Sequence, residues 1–349
     1  DTGDMALLNG LQVLRAFAAY AVVAFHVFEF LHADPGFGIG RFEVGKAGVD
    51  LFFVLSGFIM VYTTAADESP ARFITKRAVR IVPLYWAATA LAIAVAFARP
   101  WVFPQADLSL PGIVKSFTFL PAPDLSGALQ PVLFVGWTLN FEMMFYALFA
   151  LTLFLPARHR TRRLIGALIA TFLLGRIFGS DTAAAFYGQP ILLDFGIGCL
   201  IAKALPLPQV ARVARRVPLW PALPAAMAGI FAIHALALPS DAEAFAFGLT
   251  AGVLVFAVAA QDLYRTPVRA PVLHALGDSS YSAYLLHPFL VPVIGVVVVK
   301  LFGATLPAAV VMLAACLAAT AIVATLSYRL YERPSNRLLR RALLPRQSA

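Results

Sequence analysis

The sequence predicts an all-α, polytopic membrane protein of about ten transmembrane helices with both termini in the cytoplasm. Three observations predict it. Of 349 residues, 61% are hydrophobic and only 13% are charged, against roughly 25% charged in ordinary soluble domains. The mean hydropathy is +0.82, and the apolar excess runs the whole length of the chain. Lys and Arg fall in short connectors between apolar runs, on alternate sides.

Runs of roughly 17–25 residues suffice to cross about 30 Å of hydrocarbon. Such runs are placed at about 8–31, 48–65, 81–99, 132–155, 163–178, 188–204, 218–238, 243–260, 281–302 and 306–328. They are too long and too uniformly apolar for barrel strands, which leaves helices as the spanning form. The fifth and sixth runs are short, and Gly175, Gly196 and Gly198 mark bends or close packing there. The N-terminal DTGDMALLNG has no basic region of a cleavable leader. The connectors after runs two, four, six and eight, with the C-terminal tail and with Arg163 and Lys203 at the run edges, hold 20 basic residues, and the alternate connectors hold only Arg41, Lys46 and Lys115. Positive charge stays in the cytoplasm, which sets the predicted orientation. The net charge of +9 is thus a topology signal, and no nucleic-acid partner is expected. Cys199 and Cys316 lie in apolar runs, which indicates neither a disulfide framework nor a thiolate metal site.

Two connectors stand apart. Residues 66–80 end in the basic KRAVRIVP, and residues 100–131 are Pro-rich and long, with an apolar patch at Ser116–Leu120. A connector of that length suits a lid or re-entrant segment better than a plain link.

Charged groups inside spans cost ~2.5–3.5 kcal/mol at a helix centre, so each needs a reason. Glu29, Asp50, Arg176 and Lys300 sit near predicted ends, where they either snorkel or serve the site. Asp194 lies within the sixth run. Arg15 and His26 bracket RAFAAYAVVAFH, about 16 Å apart along a helix. Glu142 lies roughly 15 Å below the outer end of the fourth run. An imidazole is the least costly partner for such a carboxylate, and it suits general-base work near neutral pH. The plain alternative is a His–Glu pair that only specifies helix packing. Two ligand-type residues fall short of the three or four a metal requires, so no metal is expected.

Ser56 and Gly57, in GVDLFFVLSGF, read either as a small-residue helix contact or as backbone that a ligand approaches closely. Tyr284 and His287, in SYSAYLLH, read as interfacial anchors or as the lining of a site opening to the cytoplasm. Arg77 and Arg80, three apart on one helical face, are either positive-inside charge or a guanidinium pair for a phosphorylated ligand. The ERP at Glu332–Pro334 reads as a helix stop.

These motifs occur in one order: the Arg-x10-His of Arg15 and His26, GVDLFFVLSGF, the Arg-x-x-Arg of Arg77 and Arg80 before IVPLYW, WTLNFEMMFY around Glu142, SYSAYLLHP and the terminal ERP. Together they resemble the acyltransferase-3 family of integral membrane acyltransferases, across essentially the whole chain, and within it the exopolysaccharide O-acetyltransferase branch. The resemblance implies a single transmembrane domain over residues 1–349 without an appended SGNH-type domain. It implies a bacterial inner-membrane enzyme that takes acetyl from cytoplasmic acetyl-CoA and places it on a sugar hydroxyl of an exopolysaccharide or its lipid-linked precursor. Polysaccharide-assembly proteins are implied partners. His26 becomes the catalytic residue and Glu142 its acidic companion. Arg77 and Arg80 become the contacts to the CoA phosphates, with Arg15, Lys76, Ser56, Gly57, Tyr284 and His287 along the donor's route. The rival class is a proton-coupled transporter of a polysaccharide precursor, in which His26 and Glu142 relay protons. Such folds often carry internal repeats, and no convincing repeat is found. A non-catalytic assembly scaffold explains the basic connectors but leaves the buried pair without a purpose.

Overall fold

A computed structural model describes residues 8–179, 183–216 and 221–344. The helices are α1 (Asn9–Ala33), α2 (Ala47–Thr63), α3 (Pro70–Ala98), α4 (Leu110–Phe117), α5 (Trp137–Thr152), α6 (Ala157–Phe178), α7 (Ala183–Tyr187), α8 (Asp194–Ala204), α9 (Pro208–Arg216), α10 (Ala222–Ala235), α11 (Ser240–Tyr264), α12 (Pro271–Asp278), α13 (Ser280–Phe302), α14 (Leu306–Ser327) and α15 (Arg333–Leu343). Starts follow ordinary capping chemistry. Ser69, Ser109 and Thr305 each precede a helix whose first or second residue is proline, and each accepts a hydrogen bond from a first-turn amide.

Among the described residues, seven helices are long and apolar enough to cross a membrane, or eight if the bent pair Pro190–Ala204 and Pro208–Arg216 forms one span. The protein is therefore a multi-pass helical membrane protein. The expected runs 163–178 and 218–238 correspond to α6 and α10, and both fall short of that standard. The first two turns of α6 carry Arg158, Arg160, Arg162 and Arg163. Helix α10 has 14 residues, about 21 Å at 1.5 Å per residue. The helix stop expected at Glu332–Pro334 is not found: the helix runs on through it. A π-turn over Tyr328–Glu332 carries the chain from α14 straight into α15. Pro334 is the second residue of α15, directly after the π-turn.

The chain forms two compact units. The first comprises Asp1–Val22, Glu43–Asp67 and Leu155–Ser280, and the second Val23–Phe42, Glu68–Phe154 and Tyr281–Ala349. In the first unit, α2 and α8 cross at two glycines. A Cβ at Gly57 would lie 2.0 Å from the Phe195 carbonyl oxygen, and one at Gly198 would lie 2.0 Å from that of Val54. Hydrogen in place of a side chain lets the two backbones touch, and Phe53 stacks on Phe195 beside the crossing with ring centroids 4.4 Å apart. Asp50 and Asp194 are hydrogen-bonded to each other and buried. At the far end of α11, Asp262 accepts from the Gly10 and Val268 amides at 2.6 and 2.9 Å, which ties down the start of α1.

In the second unit, α13 is the hub. Tyr281 donates to the Ile81 carbonyl of α3 at 2.8 Å. Ser282 donates to the buried Glu332 carboxylate of the π-turn at 2.6 Å. Tyr284 donates to the Val135 carbonyl ahead of α5 at 2.9 Å. An apolar layer of Val27, Leu31, Val291, Val298, Met312 and Cys316 joins α1, α13 and α14. The long connector 100–131 is tethered: Tyr85 and Trp86 of α3 donate to the Ser116 and Phe117 carbonyls of α4 at 3.0 and 2.9 Å.

Candidate active site

His26 lies on the second half of α1, which belongs to the second unit. Its ring is half-buried and is held among Phe25, Phe134 and His287, with centroids 4.9, 5.2 and 4.9 Å away. His26 Nδ1 is 3.2 Å from His287 Nε2. The other nitrogen of His287, Nδ1, is 3.2 Å from the Ala283 carbonyl oxygen, and the His287 side chain is fully buried. Three segments therefore position the imidazole: α1 itself, the turn Phe134–Gly136 that opens α5, and α13.

Glu142 lies on α5, one turn before Tyr146, and its carboxylate accepts a short hydrogen bond from the Tyr146 hydroxyl. Arg77 of α3 lies within electrostatic range of both, and so does Tyr281. Of the two residues expected to pair, His26 thus meets His287, which the sequence placed along the donor's route, and Glu142 meets Tyr146, which the sequence did not single out. Tyr146 stands four residues after Glu142, and that i, i+4 spacing was the available signal. For His287 the signal was the three-residue rhythm of Tyr281, Tyr284 and His287, which places all three along one face of α13.

The basic residues behave differently from one another. The Arg77 guanidinium lies 5.5 Å over the Phe73 ring, and its buried Nε has no hydrogen-bond partner among the described residues. Arg80 lies on the same helix, and Arg340 of α15 shares its field with both. Arg340 was not singled out from the sequence, where it reads as tail charge. Lys76 is engaged with Glu68 at 2.5 Å, and Arg72 meets the same carboxylate at 3.5 Å.

Among the residues expected along the donor route, the structure gives Tyr284 and His287 bonds within the protein. Tyr284 spans the Val135 carbonyl and the Thr138 hydroxyl, both at 2.9 Å. His287 has both ring nitrogens engaged. Gly57 has the geometry of a helix contact, since Phe195 fills the space a Cβ would need. Ser56 precedes it in α2. Arg15 belongs to the first unit, where it lines a shallow cleft with Gln12, Leu11, Ile59 and Tyr62.

Chemically, the second unit presents an imidazole fixed by its neighbours, a carboxylate bonded to a phenol, and guanidinium groups with unused hydrogen-bonding capacity. The fold and these groups define a multi-pass membrane protein that carries ionisable side chains within apolar helices. The chain belongs to the acyltransferase-3 family: the family model described as an acyltransferase domain matches residues 8–328. It is an acyltransferase. It is 38% identical over 313 residues to the exopolysaccharide production protein ExoZ of Rhizobium meliloti (strain 1021), covering 88% of this chain and 94% of that one. It is 27% identical over 322 residues to the acyltransferase MdmB of Streptomyces mycarofaciens, covering 80% and 78%. It is 29% identical over 196 residues to nodulation protein 10 of Rhizobium leguminosarum bv. viciae, covering 48% and 49%. No solved structure gives a significant match.

Proposed function

We propose that the protein transfers acetyl from cytoplasmic acetyl-CoA to a sugar hydroxyl of an exopolysaccharide or its lipid-linked precursor, in the bacterial inner membrane. The observation that carries this reading is the His26 imidazole, half-buried within a membrane helix and oriented by three neighbouring rings. A sugar hydroxyl is a poor nucleophile at neutral pH, so attack on a thioester needs a base within hydrogen-bond reach. His26 takes the hydroxyl proton as the sugar oxygen bonds to the thioester carbonyl carbon. The tetrahedral intermediate then collapses, the carbon–sulfur bond breaks, and the imidazolium returns its proton to the CoA thiolate. Glu142 is the acidic companion whose negative charge favours the imidazolium.

Arg77 and Arg80 bind the CoA phosphates. The buried Nε of Arg77, without a hydrogen-bond partner among the described residues, supports that assignment, because a guanidinium in such a place gains most from a bidentate anion. The similarity to a protein named for exopolysaccharide production supports a glycan acceptor. Purified protein in lipid nanodiscs, given acetyl-labelled CoA and glycan from cells lacking the gene, tests the proposal. Labelled glycan and free CoA thiol should appear in equal amounts. Neither product forming, with proton-driven movement of a glycan precursor instead, would favour the transporter.

A further inference from the structure

The hydrogen bonds of His287 fix more than its own position. A carbonyl oxygen only accepts, so the Nδ1 facing the Ala283 carbonyl at 3.2 Å carries a proton. The Tyr284 carbonyl lies close enough to act on His287 as well. In a regular helix the N–H of residue 288 would bond to it, but residue 288 is proline. His287 is fully buried, and a buried charge costs far more than a neutral ring. A neutral ring with its proton on Nδ1 has a lone pair on Nε2.

That Nε2 faces His26 Nδ1 at 3.2 Å. Two lone pairs cannot form this bond, so the proton between the rings belongs to His26 Nδ1. Neutral His26 then has its own lone pair on Nε2, the nitrogen on the far side of the ring from His287. Bonding partners decide tautomers in this way. We propose that His287 is a positioning residue that holds His26 as the Nδ1–H tautomer and so dictates that Nε2 is the nitrogen that takes the acceptor's proton. This rests on the acyl-transfer reading above and deepens it. The proton taken at Nε2 in the first half of the reaction is the one later delivered to the thiolate, while the Nδ1 proton stays with the His26–His287 bond throughout.

The test uses detergent-solubilised or nanodisc-embedded full-length protein labelled with nitrogen-15 at its 6 histidines. The His26 signal is identified by its absence in His26→Gln. In the native protein His26 should give a protonated Nδ1 and an unprotonated Nε2. His287→Leu should redistribute the two tautomers and lower kcat by ~10–100-fold, the usual range for losing an orienting partner. KM for acetyl-CoA should stay within about twofold, since the donor's phosphates are held elsewhere. His287→Gln places an amide oxygen at the same bond count from Cβ as Nε2 and should restore both the tautomer and most of kcat. A native His26 protonated at Nε2 would overturn the proposal. So would a His287→Leu protein with native tautomer and native kcat. If His287→Leu does not fold, the native spectrum and the Gln variant decide the question. Persistent acetyl transfer in His26→Ala would sink the acyl-transfer mechanism instead, and leave the tautomer measurement to be judged by itself.

Discussion

Replacing Arg77 with alanine separates its packing contact from the phosphate contact proposed for it. The guanidinium lies over Phe73 at 5.5 Å, a cation–π contact of ~0.5–2 kcal/mol depending on how dry it is. Its loss lowers stability and is read as a fall in thermal midpoint. The buried Nε has no hydrogen-bond partner among the described residues, so truncation orphans no protein group at that atom. The binding loss is then the loss of the anion contact itself, ~1.5–3 kcal/mol for a charge-assisted hydrogen bond. That corresponds to about ten- to a hundredfold in Kd for CoA. Lysine keeps the charge but not the planar fork, so Arg77→Lys should fall between alanine and the native protein. Calorimetric titration of CoA into folded variants measures the effect, with dephosphorylated pantetheine as a control that should bind each variant alike. A folded Arg77→Ala, Arg80→Ala protein that binds CoA with native affinity would reduce both residues to topology signals.

Other changes have equally definite outcomes. Gly57→Ala drives a methyl to within 2.0 Å of the Phe195 carbonyl and should cost about 1–3 kcal/mol of stability by overpacking, with CoA affinity unchanged in the folded fraction. A stable Gly57→Ala protein that no longer binds CoA would restore the ligand reading of this glycine. Glu142→Gln should reduce kcat by less than His26→Ala does, and the two changes together should be non-additive; additive losses would detach Glu142 from His26. Reporter fusions after Pro239 should signal the outer side and fusions after Arg341 the cytoplasm, given 20 basic residues on one set of connectors and 3 on the other. Both fusions reporting one side would end that topology.

How much of this was legible in sequence follows from the solvent. Lipid offers no partner to a backbone amide, so each long apolar run had to be a helix, and α1, α2, α3, α5, α11, α13 and α14 were all foreseeable. The runs at 163–178 and 218–238 were harder, because they fall on α6, whose first two turns carry four arginines, and on α10, which has only 14 residues. The residues of the site were legible for the same reason: an imidazole or a carboxylate inside such a run is expensive and invites explanation. Their pairings were not. His26 and His287 are 261 residues apart, and nothing local brings α1 to α13. Gly57 was ambiguous because a missing Cβ suits a ligand and a helix equally until the neighbour is known. Arg340 lay past an apparent helix stop, and only the π-turn at Tyr328–Glu332 carries it on to α3.

The central claim is that His26 is the base for acetyl transfer, and one comparison tests it most directly. Acetyl transfer and CoA binding are measured side by side on native protein and His26→Ala in the same nanodiscs. Positioned general-base catalysis contributes ~10²–10⁴-fold, so His26→Ala should lose transfer by that factor while its Kd for CoA stays native. Transfer at the native rate in a folded His26→Ala protein would contradict the account.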